Sequence, residues 1–317
     1  MSGHPRHALR HTIACAALLA VGACSRHTEA PAPSATPPKA AQSTDRSAQG
    51  APRIALAPDG VHIDYRVFGH GEPLVVLIHG WSCDANYWRA QIDDLKASYA
   101  VVAVNLAGHG ASGRNRKNWT IEAFGADVAA VLAALPEGKV VLVGHSMGGR
   151  VALEAARLVP DRVIGIVGAD AFSDIGVVRS AADHAAADAL IARLQADYIG
   201  ATREVVAKEF FTKDADPAFA RRIADDMALA PPGIAIASLR ALLDYDYAPA
   251  LKAVRVPIID IESDMHGPVD VARIRRIVPT FRAQIMPGRG HFLMMEDPAG
   301  FNARLREAIV AAVKGGT

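Results

Sequence analysis

The stretch that most constrains this chain spans residues 139–156 and reads KVVLVGHSMGGRVALEAA. Residues 140–143 are an apolar, β-branched run typical of a buried parallel strand, and residues 151–158 form an alanine-rich pattern that favours a helix. The Gly-His-Ser-Met-Gly segment between them interrupts both patterns. The sequence therefore predicts a strand, a sharp turn with Ser146 at its apex, and a helix.

Ser146 is the candidate nucleophile of this turn. A serine between strand and helix adopts strained backbone geometry and holds its Oγ clear of the sheet. Side chains two residues before or after it would collide with neighbouring elements, so Gly144 and Gly148 are the residues that fit. The following helix directs unpaired N–H groups to the place where an oxyanion would form. A glycine-rich turn in an ordinary α/β domain is the alternative interpretation.

The N-terminal segment has the composition of an export signal. Arg6 and Arg10 precede an apolar run of about a dozen residues, too short to span a bilayer but typical of a signal peptide at residues 1–23. The run ends Val-Gly-Ala-Cys, which resembles the lipid-attachment motif of bacterial lipoproteins. This resemblance implies cleavage before Cys24, a lipid on its thiol and anchoring in the cell envelope, with Ser25 directing the protein to the periplasmic face of the outer membrane. An ordinary secretory signal is the alternative.

Residues 24–52 are rich in Ala, Pro and Ser and predict a flexible tether, followed by one folded domain over residues 53–317. After removal of the signal and acylation of Cys24, Cys83 is the one remaining thiol, so we expect no internal disulfide. A net charge of +1 and the absence of a basic stripe argue against a nucleic-acid partner. The sequence does not determine the oligomeric state.

The folded part of the chain alternates strand patterns with helical patterns. We expect strands at residues 61–68, 74–78, 100–104, 140–143, 162–169, 256–261 and 281–286. Such alternation predicts a mainly parallel sheet with helices on both faces. The alternation stops between about residues 172 and 247, where the chain is Ala-rich, charged and helical in pattern.

Three segments together resemble the α/β-hydrolases of the esterase, lipase and dehalogenase group. They are the turn around Ser146, the His-Gly-Trp of residues 79–81 and the Gly-His-Phe of residues 290–292. The resemblance implies an α/β-hydrolase fold with a mainly parallel eight-stranded sheet and a helical cap at about residues 172–247. It further implies that His291 is the general base and that the backbone N–H groups of Trp81 and Met147 form the oxyanion hole.

The acid that would complete the triad has two rival candidates, Asp264 and Asp170. The group usually carries Gly-x-x-Asp after the seventh strand, but this chain has His266 where that aspartate is expected. Asp264 is favoured, on the assumption of a shorter loop, because it precedes His291 at the interval usual for the group. Asp170 follows the sixth strand, where some haloalkane dehalogenases place their acid. Either carboxylate could orient the imidazole through its far nitrogen.

The expected function is that of a serine hydrolase that cleaves small-molecule carboxylic esters through an acyl-enzyme, with no metal ion or organic cofactor. A carbon–carbon bond hydrolase that uses the same serine remains an alternative. A catalytically weak or silent lipoprotein that binds a ligand or partner is the alternative from a different class. A dehalogenase or epoxide hydrolase of this group would need an aspartate in place of Ser146. The acyl and alcohol groups of the substrate do not follow from the sequence.

Overall fold

The computed structural model describes residues 50–315. The predicted signal peptide, the lipidation site Cys24 and nearly all of the predicted tether lie outside these residues. Within residues 50–315 no single helix is long and apolar enough to cross a bilayer. One pair of helices, Pro217–Met227 and Pro232–Asp244, which is bent by 104°, meets that criterion by length and composition alone.

One eight-stranded sheet forms the centre of the described domain. Its strands are β1 Pro52–Leu56, β2 His62–Phe68, β3 Leu74–Ile78, β4 Val101–Val104, β5 Val140–His145, β6 Val163–Ala169, β7 Ile258–Ser263 and β8 Arg282–Met286. They are arranged in the order β1-β2-β4-β3-β5-β6-β7-β8. The pairs β1–β2 and β2–β4 are antiparallel, and every other neighbouring pair is parallel.

The helices surround this sheet. They are α1 Arg89–Leu95, α2 Ile121–Ala133, α3 Met147–Leu158, α4 Ala181–Ala196, α5 Tyr198–Glu209, α6 Pro217–Met227, α7 Pro232–Asp244, α8 Ala248–Ala253, α9 Val271–Arg275, α10 Leu293–Glu296 and α11 Pro298–Gly315. Helices α4 to α7 occupy the interval that the sequence predicts as a cap. Local signals explain where they begin: Ser180 and Asp183 form a capping box at α4, and prolines open α6 and α7.

The central strands are buried because they are uninterrupted apolar runs. Every residue of β4, β5 and β6 is buried, as expected for parallel strands covered by helices. The predicted α/β-hydrolase architecture, an eight-stranded and mainly parallel sheet with helices around it, is therefore confirmed. Its carboxyl-terminal strand ends meet at one edge, where parallel α/β sheets place their ligand sites.

Two features of the sheet differ from the sequence-based expectation. Strand β1 was not predicted, because it is a short edge strand whose Ile54 and Leu56 are 65% and 63% exposed, so no buried apolar run marks it. Strand β7 continues to Ser263, two residues beyond its predicted end, and pairs there with Met286 of β8. Glu262 therefore lies inside a buried strand rather than in a loop.

Candidate active site

Ser146 lies at the sharp turn between β5 and α3. Strand β5 ends at His145 and helix α3 begins at Met147, so Ser146 alone joins the two elements. Its φ of 52° and ψ of −116° place it in a conformation that residues other than glycine rarely adopt. The turn therefore stores backbone strain at the residue that the sequence singles out as the nucleophile.

The glycines around Ser146 are required by close approach. A Cβ added to Gly144 would overlap the carbonyl oxygen of Gly148. A Cβ added to Gly148 would overlap the carbonyl oxygen of Ile78 at the end of β3. Both clashes are with backbone atoms, so no side-chain rotation could relieve them. The close approach of neighbouring backbone that the sequence analysis expected at Gly144 and Gly148 is therefore present in the structure.

Strained residues cluster at this edge of the sheet. Among residues 50–315 three residues other than glycine have left-handed φ angles: Ser82 at 54°, Ser146 at 52° and Asp170 at 52°. They follow β3, β5 and β6, which are neighbours in the sheet. Such strain persists where the surrounding structure holds it, and it concentrates at functional sites.

Asp170 is paired with His291. The Nδ1–H group of His291 donates to Oδ2 of Asp170 at 2.6 Å, and the backbone N–H of Ser263 donates to Oδ1 at 2.9 Å. Burial alone would raise the pKa of Asp170, but the hydrogen bond and the charge attraction of His291 outweigh it and hold that pKa below its usual range. Asp170 is therefore an anion that fixes the proton on Nδ1, which leaves Nε2 of His291 as the nitrogen able to accept a proton.

Asp264, the carboxylate favoured from the sequence, lies elsewhere. Its side chain is exposed, and its Oδ1 accepts a hydrogen bond of 2.8 Å from the backbone N–H of Gly288. The physical reason is the longer β7: Ser263 is still paired in the sheet, so Asp264 begins the turn that leads away from the strand edge. The structure thus brings Asp170, and not Asp264, to His291.

The imidazole of His291 is held from both sides. Its backbone N–H donates to the carbonyl of Phe210 at 2.8 Å, and its carbonyl accepts a hydrogen bond of 3.0 Å from Nε2 of His145. The rings of Phe210 and His145 each lie 4.7 Å from the His291 ring, measured between centroids. These contacts fix the loop after β8 against α5 and against the turn that carries Ser146.

His145 is a site residue that the sequence analysis did not single out. Burial lowers its pKa to about 3, so the ring is neutral and its Nε2 carries the proton donated to His291. A Cβ on Gly80 would lie 2.8 Å from Nδ1 of His145, so the ring packs directly under the loop after β3. The one signal in the sequence was its position immediately before Ser146, and that position alone does not indicate what the side chain does.

The two predicted oxyanion donors belong to α3 and to the loop after β3. Met147 is the first residue of α3, where backbone N–H groups have no acceptor within the helix. Trp81 belongs to the loop after β3, whose shape is fixed by His79: Nδ1 donates to the carbonyl of Gly80 at 2.8 Å, and Nε2 accepts from the N–H of Leu106 at 3.1 Å. Burial lowers the pKa of His79 to about 4, which keeps it neutral and suited to this structural role.

The loop after β3 is also attached to α5, α6 and α7, which lie in the predicted cap. Three of its side chains form hydrogen bonds with three different helices: Trp81 Nε1 with the Ala235 carbonyl of α7 at 2.7 Å, Ser82 Oγ with the Tyr198 hydroxyl of α5 at 3.3 Å, and the Tyr87 hydroxyl with Asp226 Oδ2 of α6 at 2.6 Å. We call these contacts the three cap anchors. They join the cap to the loop that carries Trp81.

One cavity contains the reactive groups. Ser146, Asp170 and His291 all line it, and so does Trp81. Part of the remaining wall is apolar and is formed by Phe210, Met227, Leu239, Leu242 and Phe292. Another part is polar and is formed by Arg150, Ser173, Glu262, Ser263 and His266. A concave site in which apolar side chains surround convergent polar groups is typical of small-molecule binding. In the part of the chain that the structure describes, no group of three or more metal-ligating side chains is arranged to hold a metal ion.

Comparison with known proteins identifies the family. A family model described as "Alpha/beta hydrolase family" matches residues 75–304, and the chain belongs to that family. A pimeloyl-[acyl-carrier protein] methyl ester esterase of Edwardsiella ictaluri is 28% identical over 252 residues, which cover 75% of this chain and 94% of the relative. An uncharacterized protein of Mycobacterium tuberculosis is 28% identical over 256 residues, 75% of each chain.

Solved structures show the same fold. A thermophilic esterase from Thermogutta terrifontis superposes with a TM-score of 0.72 at 23% identity, over 83% of this chain and 99% of the esterase. At this level of identity the likeness establishes the architecture, and the chemistry has to be argued from the residues of the site.

Proposed function

We propose that this protein is a serine hydrolase that cleaves carboxylic esters of small molecules. The observation that carries the proposal is the meeting of Ser146, on its strained turn, with the Asp170–His291 pair in one cavity. A binding protein would have no need of a strained serine and an oriented imidazole at the same place. The similarity to a methyl ester esterase supports the choice of ester chemistry.

The first half of the proposed reaction acylates the serine. Because Asp170 holds the proton on Nδ1 of His291, Nε2 removes the proton of Ser146 Oγ while that oxygen attacks the ester carbonyl. The carbonyl oxygen becomes an oxyanion, which the N–H groups of Trp81 and Met147 would stabilise. His291 then returns the proton to the departing alcohol, and an ester bond to Ser146 remains.

The second half releases the acid. A water molecule takes the place of the alcohol, His291 removes its proton, and the resulting hydroxide attacks the acyl carbonyl. The same backbone donors hold the second oxyanion. When the intermediate collapses, the proton returns to Ser146 Oγ and the carboxylic acid leaves. Every step moves an acyl group or a proton between groups already named, so the cycle requires no metal ion or organic cofactor.

The cavity wall indicates the kind of group that the substrate carries. Met227, Leu239 and Leu242 come from the predicted cap and line the cavity together with Phe210, whose ring lies 4.7 Å from that of His291. Burial of an apolar group against such side chains is favourable by about 25 cal/mol per Å². We therefore infer that the ester carries an apolar acyl or alcohol group on the cap side.

The test is covalent labelling together with turnover. We expect a fluorophosphonate probe to label the wild-type protein, and p-nitrophenyl acetate or butyrate to be hydrolysed. Ser146→Ala should lose both. Ser173, which lines the same cavity away from the turn, provides the matched control, because Ser173→Ala should still be labelled. Absence of labelling and of short-ester turnover in the wild type would refute the proposal, whereas labelling without ester turnover would indicate another chemistry of the same serine.

We further propose that the mature protein is exported and anchored to the cell envelope, at the periplasmic face of the outer membrane, by a lipid on Cys24. The support is the sequence motif alone, since this part of the chain lies outside the described residues. Cys24→Ser should move the protein from the membrane fraction to the periplasmic fraction. A wild-type protein that is recovered as soluble would favour an ordinary secretory signal instead.

A further inference from the structure

Two buried carboxyl groups lie directly behind Asp170. Asp260 and Glu262 are alternate residues of β7, so their side chains point to the same face of the sheet. Asp260 is fully buried and Glu262 is 2% exposed. Neither residue is used in the reaction derived above, although Glu262 also lines the cavity. Two unused buried acids at a reactive site require a physical explanation.

Glu262 connects the two other carboxyl groups. Its side chain lies within hydrogen-bonding reach of both Asp170 and Asp260, and as a neutral acid it has one proton with which to donate to one of them. The backbone N–H of Phe172 lies beneath them, 2.7 Å from Asp260 Oδ2 and 3.3 Å from Glu262 Oε1. The carboxyl group of Glu262 is thus located between the acid that contacts His291 and a second acid deeper in the sheet.

A hydrogen bond between two carboxyl groups requires a proton on one of them, because an ionised carboxylate can only accept. Asp170 is the anion of the pair, since it already accepts from His291 and from a backbone N–H group. Burial, and next the negative charge of Asp260, raise the pKa of Glu262 well above its usual range. Burial raises the pKa of Asp260 to about 6. Glu262 therefore retains its proton at neutral pH.

We propose that Glu262 is a positioning residue, which donates a hydrogen bond from its neutral carboxyl group to Asp170 and so holds that carboxylate against His291. The inference rests on the proposed serine hydrolase function. The left-handed φ of Asp170 has to be maintained by contacts from outside its own strand. Donors on several sides of the carboxylate prevent it from turning away from the imidazole, and the neutral donor adds no charge of its own.

Two substitutions at this position separate a neutral donor from a charged group. Glu262→Gln is the neutral analogue of the protonated acid, because its amide oxygen can accept from Phe172 while one N–H of its NH₂ group donates to Asp170. The second N–H is a donor that the carboxyl group lacks. Glu262→Met has similar length and no donor. Glu154→Gln is the matched control: it alters a buried carboxylate of α3 that accepts from Tyr245 and Arg157 and does not contact Asp170.

We expect two signatures at pH 7. The infrared spectrum of the wild type should contain the carbonyl band of a protonated carboxylic acid, and this band should disappear in Glu262→Gln but not in Glu154→Gln. On an ester substrate, kcat should fall about tenfold or more in Glu262→Met with KM within about twofold, since a hydrogen bond to a charged group is lost. Glu262→Gln and Glu154→Gln should keep kcat within about threefold of the wild type.

The pH dependence of kcat/KM gives an independent test. The quantity compared is the pH at which kcat/KM falls to half of its maximum on the acidic side, which we call the midpoint of the acid limb. If Glu262 is neutral, Glu262→Gln removes no charge, and the midpoint of that limb stays where it is in the wild type. If Glu262 were ionised, the substitution would remove a negative charge near His291 and move the midpoint down by about one pH unit. Asp170 and Asp260, which interact with Glu262, are unchanged in this comparison, and so are His291 and Glu296, which interact with Asp170.

Three results would overturn the inference: a lowered midpoint in Glu262→Gln, a Glu262→Met variant as active as the wild type, or no infrared band lost in Glu262→Gln. If Glu262→Met fails to fold, the glutamine variant alone still decides through its band and its midpoint. The infrared measurement needs no substrate, so it tests Glu262 even if the wild type hydrolyses no ester. Failure of wild-type labelling and turnover would count against the proposed function alone.

Discussion

The ends of β6 and β7 present two aspartates in opposite environments. Asp170, after β6, has an 8% exposed side chain and a strained backbone, and it contacts His291. Asp264, after β7, is exposed, and its carboxylate accepts a hydrogen bond from the backbone N–H group of Gly288. The strands are parallel neighbours, so topology alone offers both positions to the imidazole.

The difference lies in what holds each carboxylate. At the β6 end, N–H donors and a protonatable ring stabilise a buried anion, and this compensation is what allows a charge to remain out of water. At the β7 end, the carboxylate is exposed and accepts one hydrogen bond from a backbone N–H group. A group that orients the imidazole of the proposed general base must itself be rigidly held, and the β6 end meets that requirement.

The largest expected effect compares the two acids directly. Asp170→Asn should lower kcat by about 10⁴-fold, because the imidazole loses the anion that fixes its tautomer and stabilises its protonated form. Asp264→Asn should change kcat by less than about threefold. Steady-state ester hydrolysis by the two variants measures both. Equal losses, or a larger loss at Asp264, would reverse the assignment of the acid.

Glycine substitutions compare the packing of the two strand ends. Gly168→Ala should destabilise the protein by about 3 kcal/mol, since its Cβ would overlap Asp260 Oδ1 and approach Phe172 within 2.8 Å. Gly267, after β7, has a φ of +97° but open space around it, so Gly267→Ala should cost about 1 kcal/mol of backbone strain. Urea unfolding of both variants supplies the measurement. Equal destabilisation would mean that the β6 end is no more tightly packed than the loop.

The pH dependence of the unfolding free energy tests the protonation of Asp260, one of the two buried acids behind Asp170. Burial raises the pKa of Asp260 from its ordinary 3.8 to about 6, so between these pH values the folded protein retains a proton that the unfolded chain has released. That stabilising contribution is complete below about pH 4 and is lost as the pH rises through 6. Asp260→Asn has no such group, so from pH 4 to pH 7 its unfolding free energy should rise relative to the wild type by on the order of 2 kcal/mol.

Denaturant titrations at a series of pH values would measure this difference, and Glu154→Gln serves as the control because it leaves the β7 acids untouched. A difference between Asp260→Asn and the wild type that stays constant across this pH range would show that Asp260 is ionised in both the folded and the unfolded protein.

The smallest expected effect concerns the exposed acid. Asp264→Ala removes one hydrogen bond to the backbone N–H of Gly288, which water can replace. We expect a loss of unfolding free energy of about 0.5 kcal/mol, with unchanged ester turnover. Thermal unfolding compared with the wild type provides the measurement. A loss above about 2 kcal/mol would show that this loop has a structural role that its exposure does not indicate.

The sequence was most informative where one physical requirement acted alone. Residues 74–78 were predicted as a strand and match β3 Leu74–Ile78, because an uninterrupted apolar run has one place in an α/β fold, the centre of the sheet. The turn at Ser146 was recognisable for a similar reason, since close backbone approach on both sides leaves glycine as the residue that fits. The fold could therefore be predicted almost entirely.

The contacts of the acid could not be predicted, because they depend on two chain segments that meet only after folding. Asp170 and His291 are 121 positions apart, and spacing along the chain favoured Asp264 instead. The end of β7 was misjudged for a related reason. A glutamate and a serine normally end a buried strand pattern, but Glu262 is accommodated there beside two other carboxyl groups and the backbone N–H of Phe172. Sequence patterns carry no information about which acids remain protonated.

The three cap anchors have a consequence for how this enzyme could be re-engineered. The side chains of Trp81, Ser82 and Tyr87 are hydrogen-bonded to three separate helices. The position of the loop that carries the Trp81 N–H therefore depends on these helices. If these helices were replaced by those of another protein in order to alter substrate choice, the loop would also lose its three hydrogen bonds. A successful chimaera would have to retain Tyr198, Asp226 and the carbonyl of Ala235, or supply substitutes for them.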